Sequence, residues 1–176
     1  MIKWDAVEGF SKKEFAPPEE VKGDWDMNVN LIDTLVQLRK KGKQKYGDEF
    51  RVMIHHNGGY SVDGHSKTSL HYQGRAVDFH MEHYSDNHKC WALVPWLDQV
   101  ILLRPLLDGF EEDFGIGLHP NWNQQGFHLD FRRGSGRSGA VWWDKSGKYI
   151  NMTWAYFGDA LEDVMNYEFK KTQLDV

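Results

Sequence analysis

Between residues 26 and 46 apolar side chains recur mostly at three- and four-residue intervals. Leu31, Ile32, Leu35, Val36 and Leu38 make one stripe, which predicts an amphipathic helix from about Asp26 to Tyr46. Pro17-Pro18 breaks the chain before it and Gly47 closes it. Phe50 to Ile54 reads as a short strand, followed by a Gly- and Ser-containing loop from His55 to about Gln73. Ala76 to Met81 then alternates with period two, so Val77, Phe79 and Met81 face one way and Asp78 and His80 the other. Asn87 to Leu107 is apolar enough for helix, within limits set by Pro95 and Pro105. Gly115 to Leu118, a connector from His119 to Gly126, and Phe127 to Arg132 predict a hairpin. A last helix is expected from Ala155 to Lys171, with Ala160, Leu161, Val164 and Met165 as its apolar face. These elements predict an α+β fold, a small and mainly antiparallel sheet flanked by helices.

Composition narrows the picture. A chain of 176 residues with 40% hydrophobic content fits one domain with one core. Aromatic residues make up 14%, which favours a groove lined with flat rings. A net charge of -5 argues against a nucleic-acid partner, and the basic run Arg39, Lys40, Lys41, Lys43 and Lys45 reads as the solvated end of a helix. Cys90 is the single cysteine, so an internal disulfide and a cysteine zinc cage are both excluded; it is expected as a small buried apolar residue. Met1-Ile2-Lys3-Trp4-Asp5 holds no apolar run that could serve as a signal peptide, and no stretch is long enough to span a membrane. The expectation is synthesis in the cytoplasm, no membrane insertion, and a monomer.

Candidate chemistry lies in the histidines. There are nine, most of them between His55 and His88. His128 occupies the polar face of an otherwise apolar strand, and Asp78 does the same on another. Zinc would require their ligand atoms to lie within roughly 4 Å of one another. His71 and Asp78 could not both reach one ion along a continuous helix, where their separation spans about 10.5 Å. The chain must bend between them, and Gly74 is the residue that permits it. Two imidazoles and one carboxylate, His71, Asp78 and His128, would leave a positively charged site with an open position, as hydrolysis needs.

Ser69-Leu70-His71-Tyr72-Gln73-Gly74-Arg75-Ala76-Val77-Asp78 resembles the Ser-x-His-x-x-Gly-x-Ala-x-Asp signature of the zinc D-Ala-D-Ala carboxypeptidases and their L-alanyl-D-glutamate endopeptidase relatives. Gly126-Phe127-His128-Leu129-Asp130-Phe131-Arg132 is similar to the second ligand strand of the branch whose histidine is followed by x-Asp-x-Arg. Gly115-Ile116-Gly117-Leu118 sits where that branch has a Gly-x-Gly strand, and Phe10-Ser11-Lys12-Lys13-Glu14-Phe15 resembles its N-terminal segment. The segment from Asp63 to Asp78 also looks like the zinc loop of the hedgehog signalling domain, a binding module on the same fold. The resemblance covers about Gly9 to Trp143 and leaves the last thirty or so residues unexplained; the expected division is an N-terminal lead over 1–8, a zinc peptidase domain over 9–145 and, from the apolar pattern, a C-terminal helical extension packed on the domain over 146–176. Two departures stand out. Many members carry a glutamate base three residues before the second histidine, where this chain has Gln125. Many carry an arginine in a Ser-Gly-Tyr-Arg strand end, where this chain has Ile54-His55-His56-Asn57-Gly58-Gly59-Tyr60.

The resemblance implies a zinc-dependent peptidase that cuts murein peptides beside D-amino acids, such as a phage endolysin acting on the cell wall from a cytosolic pool. The alternative is a non-catalytic zinc-stabilised binding module or a phage structural protein on this fold. Asp130 is expected as the general base, since Gln125 cannot serve, with orienting an imidazole as its alternative role. Arg75 and Arg132 are candidates for polarising the scissile carbonyl or gripping a carboxylate, with ion pairing as the plainer role. His80 is expected beside the ligands or in solvent, His65 and His119 along the cleft, and Trp122, Trp142 and Trp143 in its walls or in the core.

Overall fold

The computed structural model describes residues 1–16, 24–120, 122–145 and 148–152, the last stretch and residue 145 by backbone alone. Helix α1 (Val29–Tyr46) begins three residues later than the apolar stripe suggests, because Asn28 caps it by accepting from the Asn30 amide at 3.0 Å. Asp26 lies outside the helix and accepts instead from the Ile2 amide and the Trp4 indole. Gly47 ends α1 with φ 89°, a left-handed conformation that suits glycine. Strand β1 (Phe50–Ile54) follows as expected, and β2 (Ala76–Ser85) runs four residues beyond the expected alternation.

The helix expected over Asn87–Leu107 is divided. Cys90–Leu93 is strand β3, whose Cys90 pairs with Ser85 and whose Leu93 pairs with Glu82, and only Trp96–Leu103 forms helix α2. Pro95 explains the boundary: lacking an N–H, it is tolerated at a helix start and sits at the α2 N-cap. Cys90 is exposed on β3, against the buried position expected for it.

Strands β4 (Phe114–His119) and β5 (Gly126–Phe131) form the expected hairpin, and β6 (Ala140–Lys145) and β7 (Lys148–Met152) extend the sheet. The order is β1-β2-β5-β4-β6-β7, with β3 paired to the far half of β2. All pairings are antiparallel except β4 with β6, so the sheet is mixed. Strand β7 falls within the stretch assigned above to a helical extension, and the expected helix Ala155–Lys171 lies outside the described residues.

One sheet face is the core. Val77, Phe79, Phe127, Leu129, Ile116 and Leu118 are fully buried there. α1 covers them with Leu31, Ile32, Leu35 and Leu38, and α2 adds Val100, Leu103 and Trp96, whose ring stacks on Phe127 at 4.7 Å. Each such side chain contributes about 1.5–3 kcal/mol by leaving water. Both helices pack on this face, consistent with an α+β fold in which helices flank a small sheet. The opposite face carries Asp78, His119, His128 and Asp130, which line one cleft. Among the described residues no helix is long and apolar enough to cross a membrane.

Candidate metal centre

His71 reaches the cleft from a short 3-10 turn, Leu70–Gln73, that starts where the Ser69 hydroxyl accepts from the His71 amide. Gly74 reverses the chain after it with φ 63°, and a Cβ there would strike the Asp26 carbonyl. That turn is what brings His71 back beside Asp78. Asp78 stands directly opposite His128 in the β2–β5 pairing, with Ala76 opposite Asp130.

His71 Nδ1 lies 2.9 Å from the Gly59 carbonyl. A carbonyl only accepts, so Nδ1 carries the proton and Nε2 keeps its lone pair. That Nε2 is 3.3 Å from His128 Nδ1 and 3.5 Å from an Asp78 oxygen, while His128 Nδ1 is 2.7 Å from the other Asp78 oxygen. Each residue offers one ligand atom to the group, all within 4.8 Å of one another, so His71, Asp78 and His128 could hold a metal ion.

Electrostatics fit that reading. Burial disfavours charge on Asp78, but the His128 and His71 imidazoles outweigh it and hold the carboxyl well below its usual range. Burial likewise pushes His128 down, while Asp78 and Asp130 together hold it up at about 9. Without a metal, His128 is therefore an imidazolium clamped between two carboxylates, its proton standing where a cation would.

Asp130 is 2% exposed and has both oxygens engaged. One lies 3.1 Å from His128 Nε2, and the Arg132 guanidinium donates to both, at 2.6 and 3.1 Å. Of the two roles open to Asp130, the geometry favours orientation: it fixes the His128 ring so that Nδ1 faces His71 and Asp78. Arg75 is not on the cleft wall. Its Nε donates to the Phe131 carbonyl at 3.1 Å and its terminal nitrogen to the Arg133 carbonyl, so it ties the start of β2 to the end of β5. The structure thus places Arg75 outside the lining of the cleft that holds the metal group. Arg132 does line the cleft, as does Arg137, which donates to the Thr68 carbonyl across the opening.

The cleft has a volume of about 600 Å³. His65 lies flat on His71 at 4.0 Å, Trp142 packs beside His128, and Trp122 stacks on His119 at 3.9 Å. Trp143 is in the core, 3% exposed. His80 is buried on the same strand face as Asp78 but outside the cleft lining, with Nε2 3.2 Å from Glu82, and it is not part of the metal group. Gln125 is not on the cleft wall; its carbonyl accepts from Gln99.

Sequence reasoning missed Asp144, whose carboxylate lies 3.5 Å from His119 Nδ1. The alternation Gly115, Gly117, His119 could have put His119 on the ligand face, but Asp144 joins it only through the parallel pairing of β4 with β6. Burial pushes the His119 imidazole down to about 4, against the pull of Asp78 and Asp144. No family model matches the chain, and neither a curated protein nor a solved structure matches it.

Proposed function

We propose that this chain is a zinc-dependent peptidase acting on murein peptides. The observation that carries the reading is the convergence of His71 Nε2, His128 Nδ1 and Asp78 on one point in an open cleft. Tetrahedral zinc with ligands at 2.0–2.1 Å separates its donor atoms by about 3.3 Å. Two of the three separations here, 3.3 and 3.5 Å, are close to that. Calcium and magnesium take six or more oxygens, a donor set these residues do not offer. Three protein ligands leave a position for water or substrate, where bound zinc would supply Lewis acidity and activate water.

The rest of the cleft suits an anionic peptide. Arg132 and Arg137 add positive charge to its wall. Similarity to the D-Ala-D-Ala carboxypeptidase signature supports the choice of substrate. A zinc-stabilised binding module is the rival reading, favoured by Gln125, which supplies no base and does not line the cleft. Incubating the zinc-loaded protein with purified murein sacculi, then weighing the released peptides by mass spectrometry, separates the two. New peptide termini beside a D-amino acid are expected. Tight zinc binding with no cleavage of any murein fragment would leave the binding module.

A further inference from the structure

His80 lies outside the metal group, yet its surroundings repeat those of His128. In each case a carboxylate two residues along the same strand meets the imidazole. Asp130 lies 3.1 Å from His128 Nε2, and Glu82 lies 3.2 Å from His80 Nε2. Each carboxylate is held in turn by an arginine: Arg132 Nε donates to Asp130 at 2.6 Å, and Arg51 Nε donates to Glu82 at 2.7 Å. A carboxylate that is ionised only accepts, so His80 Nε2 carries its proton and Nδ1 keeps a lone pair. An imidazole held in this way by a carboxylate is the usual state of a metal-ligating histidine.

A second imidazole extends the likeness. The His55 and His80 rings have centres 4.9 Å apart and planes inclined at 57°, and the His71 and His128 rings have centres 5.0 Å apart and planes inclined at 64°. A tetrahedral ion about 2.1 Å from one nitrogen of each of two imidazoles sets the ring centres roughly 5 Å apart. His80 is 3% exposed, and its Nδ1 is buried with no hydrogen-bond partner among the described residues. His55 Nε2 is buried in the same condition. Two unpaired imidazole nitrogens on neighbouring buried rings cost free energy unless something joins them. His55 also lines a groove of about 460 Å³ with Trp122, Asn123 and Gln124, which offers an ion a route to this pair.

We propose that His55 Nε2 and His80 Nδ1 hold a second divalent transition-metal ion, of the class that prefers imidazole, with zinc as the probe. Glu82, itself fixed by Arg51, is the positioning residue for the His80 ring. Among the described residues no third His, Cys, Asp or Glu joins the pair. With two protein donors rather than three, this ion binds more weakly than one at His71, Asp78 and His128, and it fills only when metal is supplied in excess. The assignment does not rest on the peptidase reading.

Equilibrium dialysis against rising zinc at pH 7.5, where imidazole is ordinarily neutral, counts the zinc held per chain. A second equivalent is expected above the first. It should be lost in His55→Ala and in His80→Phe, which keeps a ring in the buried slot, while the first equivalent stays. His128→Ala should do the reverse. Glu82→Gln should weaken the second equivalent by about 10–100-fold, the typical worth of a contact that supports a ligand. In the parent chain, with nothing substituted, the ring-nitrogen resonances of His55 and His80 should move with the second equivalent rather than the first. A chain that stops at one zinc, a second zinc that persists in both histidine variants, or His55 and His80 resonances that stay in place would each overturn the proposal. None of these outcomes depends on whether murein is cut.

Discussion

His128 is held at both ring nitrogens, and this decides what its neighbours do. Losing His71, Asp78 or His128 to alanine removes a donor from the metal group, so each variant should be depleted in zinc by elemental analysis. His80→Ala should keep its zinc, because His80 is tied to Glu82 and lies outside the group. Full zinc retention in His128→Ala would dismiss the site. Asp130→Asn tests the orienting role directly. An amide cannot match the carboxylate as partner to both His128 Nε2 and Arg132, and such supporting contacts are typically worth about 10–100-fold in metal affinity. Zinc affinity, measured by competition with a chelating dye, should weaken by that order; unchanged affinity would return Asp130 to the role of base. At this scale strand parity carried most of the legible information. It put Asp78 with His80, and His128 with Asp130 and Arg132, on the faces where they are found. Continued back one step it also puts Arg75 with Val77 on the opposite side from Asp78, consistent with its pairing to backbone carbonyls. What parity could not give was the partner of each imidazole, which depends on which loop or strand lies alongside.

Elements differ in how far local sequence decides them. α1, β1 and the β4–β5 hairpin were legible because period, caps and glycines agree. The stretch from Asn87 to Leu107 was not, since an apolar run supports either helix or strand until its pairing partner is known. Cys90–Leu93 becomes strand because the far half of β2 is there to receive it, and β6 depends likewise on a parallel neighbour. The α1–β1 contact yields a prediction whose sign is not obvious from helix propensity. Gly42 is buried on α1, and a Cβ there would run into the ring of Phe50. Alanine gains about 1 kcal/mol in intrinsic propensity, but overpacking a core contact costs about 1–3 kcal/mol. Gly42→Ala should therefore lower the melting temperature, and Phe50→Leu in the same chain should recover part of the loss. A rise in Gly42→Ala alone would mean that the ring moves aside freely.

The whole molecule should respond to metal and pH together. In the metal-free protein His128 is raised from 6.5 to about 9, so its contribution is complete below pH 6.5 and is lost as pH rises through about 9. Asp78 is depressed below 3.8, so its contribution is present above pH 3.8 and is lost as pH falls below it. Thermal unfolding of chelator-treated protein should thus be most favourable to the fold between about pH 4 and 6.5. Zinc needs His128 neutral at Nδ1, so its binding at pH 7 should release about one proton, visible as a buffer-dependent heat in calorimetry. The melting-temperature gap between loaded and chelated protein should widen from pH 6.5 toward 9. A gap that narrows over that range would contradict the clamped imidazolium. The chelated protein should remain folded, because the core beneath the sheet does not depend on the ion.

Strand β5 enters the sheet between β2 and β4, although it is made after both. Until it arrives, β2 lacks its partner along Ala76–Phe79 and β4 lacks its partner along its whole length. Two open edges wait on one late segment, and such edges invite pairing with other chains. Much of the sheet's closure therefore rests on contacts between residues far apart in sequence, which slows folding relative to a chain closed by near neighbours. His128 arrives on that same segment, so the step that seals the two edges also delivers the last ligand. A nascent or truncated chain ending before Gly126 would carry His71 and Asp78 with nothing to complete them, and would be more prone to aggregate than to capture a metal.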